Sequence, residues 1–222
     1  MKKIEIIQNE KLKHYTTLHI GGVCKNIYFP KSEEEVKEVF NLQPIILGCG
    51  SNVLIDDTKV FENAMVLTKF NKIYVEEDEI IAEAGATLMD VCLLAYEHGL
   101  TGLEFAFGIP GSVGGAIMMN AGAYGGEMKD VLESVTVLTP NGEILVLKNE
   151  ELELGYRTSI IAKKDYVVLS AIIKLNYGNK ESIREKMNEL KVQRTTQEDL
   201  NIGNQILQFE LYFTKIAPAS GT

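Results

Sequence analysis

Cysteine is scarce in this 222-residue chain: Cys24, Cys49 and Cys92 stand far apart, with no C-x-x-C pair. That usage argues against a disulfide framework and suits a reducing compartment. The three histidines, His14, His19 and His98, have neither metal-ligand spacing nor cysteine company, which argues against a metal site. No apolar run approaches the roughly 20 residues that span a bilayer. The N-terminal "MKKIEIIQNEKLKHY" has no apolar core of signal-peptide length, so a cytoplasmic protein without a membrane partner is expected. Positive charge is also in short supply: 22 Lys and Arg face 31 Asp and Glu, a net charge of -9. A main partner made of nucleic acid would call for a basic face. The chain lacks a G-x-S-x-G elbow and a G-x-x-x-x-G-K-[ST] loop, so serine hydrolysis and P-loop chemistry have no signature here. It has no internal repeat and no linker rich in proline or serine.

Local patterns point to an α+β fold. Ser32 followed by Glu35 forms a capping-box pattern, and Val36, Val39 and Phe40 continue it at helical spacing. Residues 44–47, 64–68, 72–78 and 79–85 read as strands, the last two joined by a tight acidic turn; "VLI" (53–55) is strand-like as well. Thr87 and Asp90 can cap a helix that ends at His98-Gly99 through a left-handed glycine. Alternating runs around Pro140-Asn141-Gly142 predict a hairpin. Residues 165–178 read as a strand and 181–193 as a charged helix. In the tail, Ile206 to Phe213 alternates like an edge strand.

Two glycine-rich segments carry the chemistry. In "LGCGSN" a strand feeds a Gly48-Cys49-Gly50 turn that can aim several backbone N–H groups into one concavity, with Ser51 and Asn52 as extra donors. The bland reading is a loop between strands. The dinucleotide-helix fingerprint is not met, since Val53 stands where a third glycine would fall. In "GIPGSVGGAIMMNAGAYGG" (108–126), Gly111 follows Pro110. Gly114 and Gly115 strip side chains from the start of a short helical run, 112–119, whose N–H groups could approach a pyrophosphate. Close helix packing is the competing explanation. Two such loops in one chain favour a nucleotide cofactor.

Arg157, in "GYRTS" (155–159), reads either as a surface salt-bridge partner or as a fixed planar cation for a carboxylate or a developing enolate. Glu104 stands among apolar residues, where a buried carboxylate needs a partner or a raised pKa.

Together, "TTLHIGG" (16–22), "LGCGSNVLI" (47–55), "GLTGLEFAFGIPGSVGGAIMMNAGAYGGEM" (99–128) and "GYRTS" resemble the successive signatures of the UDP-N-acetylenolpyruvoylglucosamine reductase family. The resemblance spans about residues 1–197, and its most specific part is 102–125. It implies an FAD-binding domain of the PCMH/VAO type made of two α+β subdomains, with a boundary near 70–80. It further implies FAD as cofactor, NADPH as reductant and a UDP-sugar enolpyruvyl ether as substrate, in peptidoglycan synthesis. By the same resemblance Gly48, Cys49, Gly50, Ser51 and Asn52 would hold the pyrophosphate. Gly111, Ser112, Gly114 and Gly115 would pack against the cofactor, and Arg157 would stabilise the enolate-like intermediate.

Beyond Gln197 the family pattern stops. The family's proton-donating serine and its C-terminal glutamate have no match, and "PASGT" (218–222) is too faint an echo to place the serine at Ser220. The expectation is a chain that binds FAD but turns over weakly or not at all. Its alternative is a flavin-binding remnant or interaction module. An oxidase-like relative is less favoured by the complete "GYRTS" element.

Overall fold

The computed structural model describes residues 4–200, with side chains described through Gln193. The alternating tail segment 206–213 lies outside the described residues.

A four-stranded sheet opens the chain, in the order β1 (Glu5–Lys11), β2 (Val23–Phe29), β4 (Val60–Val66), β3 (Ile45–Leu47). β1 and β2 are antiparallel, while β4 runs parallel to both β2 and β3. Parallel strands need a crossover, and helix α1 (Glu33–Phe40) supplies it between β2 and β3. The Ser32 hydroxyl caps α1 by accepting from the Glu35 N–H at 3.3 Å. The reciprocal arm reaches one residue further out than the sequence pattern suggests: the Glu35 carboxylate accepts from the Lys31 N–H at 2.7 Å.

Period-two alternation divides β4 between two cores. Ala64 and Val66 join Leu12, Ile27, Phe29 and Leu47, whereas Met65 points into the larger core beside Val36 and Val39 of α1. β4 begins four residues before the predicted 64–68, because parallel pairing with β2 extends it through the polar Glu62 and Asn63. Val53–Ile55 forms no strand. Ile55, 2% exposed, instead plugs the smaller core from an irregular segment, and side-chain packing of that kind needs no ladder.

Strands of the first sheet end at Val66, and those of the second begin at Ile73. The second sheet is antiparallel throughout, in the order β11 (Ile144–Lys148), β10 (Leu132–Leu138), β12 (Val167–Lys174), β6 (Glu79–Glu83), β5 (Ile73–Glu76). The predicted hairpin closes as read: the Thr139 N–H donates to the Glu143 carbonyl at 2.8 Å, and Gly142 takes a φ of +80°. Helix α2 (Leu88–Glu97) starts at Thr87, whose hydroxyl accepts from the Asp90 N–H at 3.0 Å. It ends at Gly99, φ +68°, whose N–H donates to the Tyr96 carbonyl at 3.0 Å.

Short elements complete the frame. They are β7 (Leu100–Thr101) with β13 (Asn176–Tyr177), β8 (Gly122–Ala123) with β9 (Gly126–Glu127), and helices α3 (Val113–Met118) and α4 (Ile160–Lys163). Helix α5 (Lys180–Leu200) outruns its predicted end at 193, since no glycine or proline interrupts "RTTQEDL". It buries Ile183, Met187 and Leu190, a single face at helical spacing.

Candidate cofactor-binding site

Three segments meet where β3 ends. On one side, loop 48–52 lies against 110–112. Ser51 Oγ donates to the Pro110 carbonyl at 2.7 Å. Ser112 Oγ fills the space a side chain on Gly48 would need, and Gly111 faces Ser51. On the other side the loop meets 15–17: the Gly50 carbonyl accepts from the Thr17 N–H at 3.0 Å. Gly50 has a φ of +67°, and any Cβ there would be driven into the Tyr15 carbonyl oxygen. Glycine answers both demands at once.

The loop leaves a row of donors open. Among the described residues, the N–H groups of Cys49, Gly50, Ser51 and Asn52 donate to no protein acceptor, although Gly50 is itself buried. Buried amides are nearly always paired, and successive open N–H groups in a turn form an anion-binding concavity. Beside Gly48 and Cys49 opens a cavity of about 310 Å³, walled also by His14, Tyr15, Thr16, Thr17, Phe29, Val66 and Thr68. That volume is in the range of small-ligand pockets, roughly 300–1000 Å³.

Helix α3 behaves differently from the sequence reading. The Val113 N–H donates to the Ala86 carbonyl and the Gly114 N–H to the Ala84 carbonyl, both at 2.9 Å. The Gly115 N–H donates to Ser112 Oγ at 3.3 Å. The N–H groups of Val113, Gly114 and Gly115, at the start of this six-residue helix, are therefore engaged with residues that follow β6 and with the helix's own cap. Gly114 is bare for a packing reason: a Cβ would lie 3.0 Å from the Ala84 Cβ. Gly111 contributes its carbonyl, which accepts from the Leu88 N–H at 3.0 Å and so holds the first turn of α2. Of the glycine-rich residues read from the sequence, Gly48 and Cys49 line the cavity. Gly111, Ser112, Gly114 and Gly115 form the framework behind it.

Arg157 is exposed, at the tip of a turn in which Gly155 and Thr158 exchange backbone hydrogen bonds of 3.1 and 3.3 Å. Its guanidinium carbon stands 6.0 Å from the Tyr156 ring centroid. Among the described residues Arg157 makes no salt bridge, so the surface-pair reading has no partner here. The turn is tied to the glycine-rich segment twice. Ser159 Oγ donates to the Met118 carbonyl at 2.8 Å, and Asn120 Nδ2 donates to the Gly155 carbonyl at 3.2 Å.

Glu104 has found the partners it needs: it accepts from Thr101 Oγ1 at 2.7 Å and from the Gly102 N–H at 2.9 Å. Burial, and secondarily the charge of Glu104, pushes the Cys92 thiol up to about 12. Cys49, half-buried on the cavity wall, is raised by burial and then by Asp90.

The segment "TTLHIGG" carries no chemical role that its letters alone reveal, yet its Thr16 and Thr17 line the cavity. The available signal was Thr16-Thr17 ahead of Gly21-Gly22. Thr16, 4% exposed, donates its hydroxyl to the Ile20 carbonyl at 2.9 Å, and Gly21 sits against Leu12 and Lys13. Tyr15, Phe29, Val66 and Thr68 gave no signal, because Phe29 and Val66 end two separate strands while Tyr15 and Thr68 lie in short 3-10 turns, and only the fold brings the four together.

Fold and loop geometry define a cofactor-binding α+β domain, and a family model described as an FAD binding domain matches residues 25–148. The chain belongs to the UDP-N-acetylenolpyruvoylglucosamine reductase family. It is 47% identical to the reductase of that name from Geobacillus thermodenitrificans over 88% of this chain and 66% of the relative. It is 43% identical to the one from Clostridium novyi over 100% of this chain and 75% of the relative. Against the first of these, the chain spans just under two thirds of the relative's length. The crystal structure of the Thermus caldophilus reductase superposes with a TM-score of 0.74 at 34% identity, over 87% of this chain and 70% of that one. An alkyldihydroxyacetonephosphate synthase shares the fold alone, with a TM-score of 0.54 at 19% identity, over 72% of this chain and 33% of that one.

Proposed function

We propose that this chain binds FAD and serves the NADPH-driven reduction of UDP-N-acetylenolpyruvoylglucosamine to UDP-N-acetylmuramate, a cytoplasmic step of peptidoglycan synthesis. One observation carries the reading: four consecutive N–H groups, Cys49 to Asn52, are left without protein acceptors among the described residues, in a loop whose Gly48 and Cys49 line a ligand-sized cavity. Such a row fits a diphosphate, whose oxygens accept several N–H bonds at once. Gly48, Cys49, Gly50, Ser51 and Asn52 would hold that group. Gly111, Ser112, Gly114 and Gly115 act behind them: Ser51 is fixed by Pro110, and Gly48 is fixed by its contact with Ser112.

When bound, FAD would supply the two-electron chemistry that links NADPH to the enol-ether double bond. The residues of this chain hold and polarise. Arg157 presents a permanent cation with a planar fork, free of any carboxylate among the described residues, to the negative charge that builds up on the enolpyruvyl carboxylate. A fixed charge aimed at developing charge is worth most where water is excluded.

The test begins with colour. Recombinant protein is expected to be yellow and to release FAD on denaturation. Folded, colourless protein that takes up no added FAD would remove the proposal.

A further inference from the structure

Asn120 has a role that no reading of the sequence assigned. It is 4% exposed and holds a left-handed φ of +41°. Its side chain is fully employed: Nδ2 donates to Glu127 Oε2 at 2.9 Å and to the Gly155 carbonyl at 3.2 Å, while Oδ1 accepts from the Lys129 N–H at 3.0 Å. Of these, the bond to Gly155 crosses 35 positions of chain and lands two residues before Arg157. Arg157 itself is held at a φ of +54°, a conformation that costs a non-glycine residue about 1–2 kcal/mol and persists only where the surroundings enforce it.

The enforcement is visible at both ends of the turn. Asn120 grips its first residue, and Ser159, the residue after its last, donates to Met118. Met118 and Asn120 sit at the end of α3, whose start is docked against the loop that faces the cavity. The helix is a short strut from cofactor loop to arginine turn.

We propose that Asn120 is a positioning residue: its amide fixes the 155–158 turn and thereby the place at which Arg157 meets the substrate. This rests on reading Arg157 as the group that answers substrate charge. The charged side chains meeting at this point are Glu127, bonded to the amide; Lys129, paired with Glu127 at 2.5 Å; and Asp130, which accepts from the Glu127 N–H at 2.9 Å.

Asn120→Asp tests the link. It preserves shape, tolerance of the left-handed backbone and the acceptor for Lys129, but sets an oxygen against the Gly155 carbonyl. Hydrogen exchange of the Gly155 and Thr158 amides, corrected for intrinsic rates, should quicken about 10-fold or more at neutral pH, the cost of leaving a buried partner unpaired. Amides of β10 and β12 should be unchanged. Lowering the pH to about 5 favours protonation of the introduced carboxyl, which Glu127 destabilises, and gives it one hydrogen to share between Glu127 and the Gly155 carbonyl. Protection of the turn should then return in part, with wild type measured at both values as reference.

Asn120→Gly keeps the backbone and has no donor at any pH, so its turn should stay unprotected at both. In the FAD-loaded protein, Asn120→Asp should slow reoxidation of the reduced flavin by the enolpyruvyl substrate while leaving FAD affinity unchanged. Turn protection that survives both substitutions, or that is lost across the whole chain regardless of pH, overturns the proposal. If the turn loosens but Arg157→Ala leaves reoxidation untouched, the positional link stands and the reading of Arg157 fails. The reverse pattern sinks the link and spares the reading.

Discussion

Ser112 Oγ occupies the space that a side chain on Gly48 would fill, with the Ser112 Cβ 3.1 Å from that point. Two residues 64 positions apart thereby join the loop beside the cavity to the cap of α3. Ser112 is 3% exposed and its hydroxyl accepts from the Gly115 N–H, so it cannot turn aside without uncapping the helix. Gly48→Ala should therefore cost about 1–3 kcal/mol, as overpacking does. FAD affinity should fall with it, because the displaced loop carries the open N–H groups. Urea denaturation and flavin titration of the variant measure both, and an unchanged midpoint would show that Ser112 has another position to go to.

Gly50 and Gly125 separate two reasons for glycine. Both have positive φ, +67° and +85°, but a Cβ on Gly125 would meet nothing within 4 Å, whereas one on Gly50 would abut the Tyr15 carbonyl. Gly125→Ala should cost only the conformational penalty, about 1–2 kcal/mol. Gly50→Ala adds a backbone collision and should prevent accumulation of folded protein or abolish flavin binding. Similar melting temperatures for the two variants would contradict the geometry at Gly50.

Arg157 is exposed and unpaired among the described residues, so Arg157→Ala should change stability by no more than about 0.5 kcal/mol. FAD affinity should likewise be unchanged. Reoxidation of the reduced flavin by the enolpyruvyl substrate should slow about 100-fold or more in stopped flow, the scale of losing a preorganised charge. Equal losses in FAD binding and reoxidation would make Arg157 structural.

Cys92 predicts an alkaline weakness. Its folded pKa, raised by burial and then by Glu104 to about 12, exceeds that of an unfolded thiol. The folded state thus retains a proton that the unfolded state has released. Stability linked to this group is complete below the ordinary thiol range and declines as pH climbs from there toward about 12. The slope approaches about 1.4 kcal/mol per pH unit. Cys92→Ala should shift stability by a constant cavity term and flatten that part of the slope. Parallel pH profiles for wild type and variant would show that the thiol is not responsible.

Much of the fold was legible because its signals are local. Ser32, Thr87, Gly99 and Gly142 each make their decisive hydrogen bond within four residues, and such bonds are written in adjacent letters. The reading failed where partners came from afar. Val53–Ile55 has the composition of a strand and no strand beside it to join, while β4 extends through polar residues because β2 lies alongside.

The site divides the same way. The amino-acid sequence alone determined that 48–52 and 108–126 must turn without side chains, since backbone conformations at positive φ and contacts closer than a Cβ allows leave little but glycine. Only the tertiary structure decided what each bare backbone faces. Packing against Ala84 and Ala86 engages the N–H groups that begin α3, while loop 49–52 keeps its own open beside a cavity. An N–H is a donor in any conformation; whether a carbonyl stands in front of it depends on strands and helices placed by packing across dozens of residues, and that is settled by the fold as a whole.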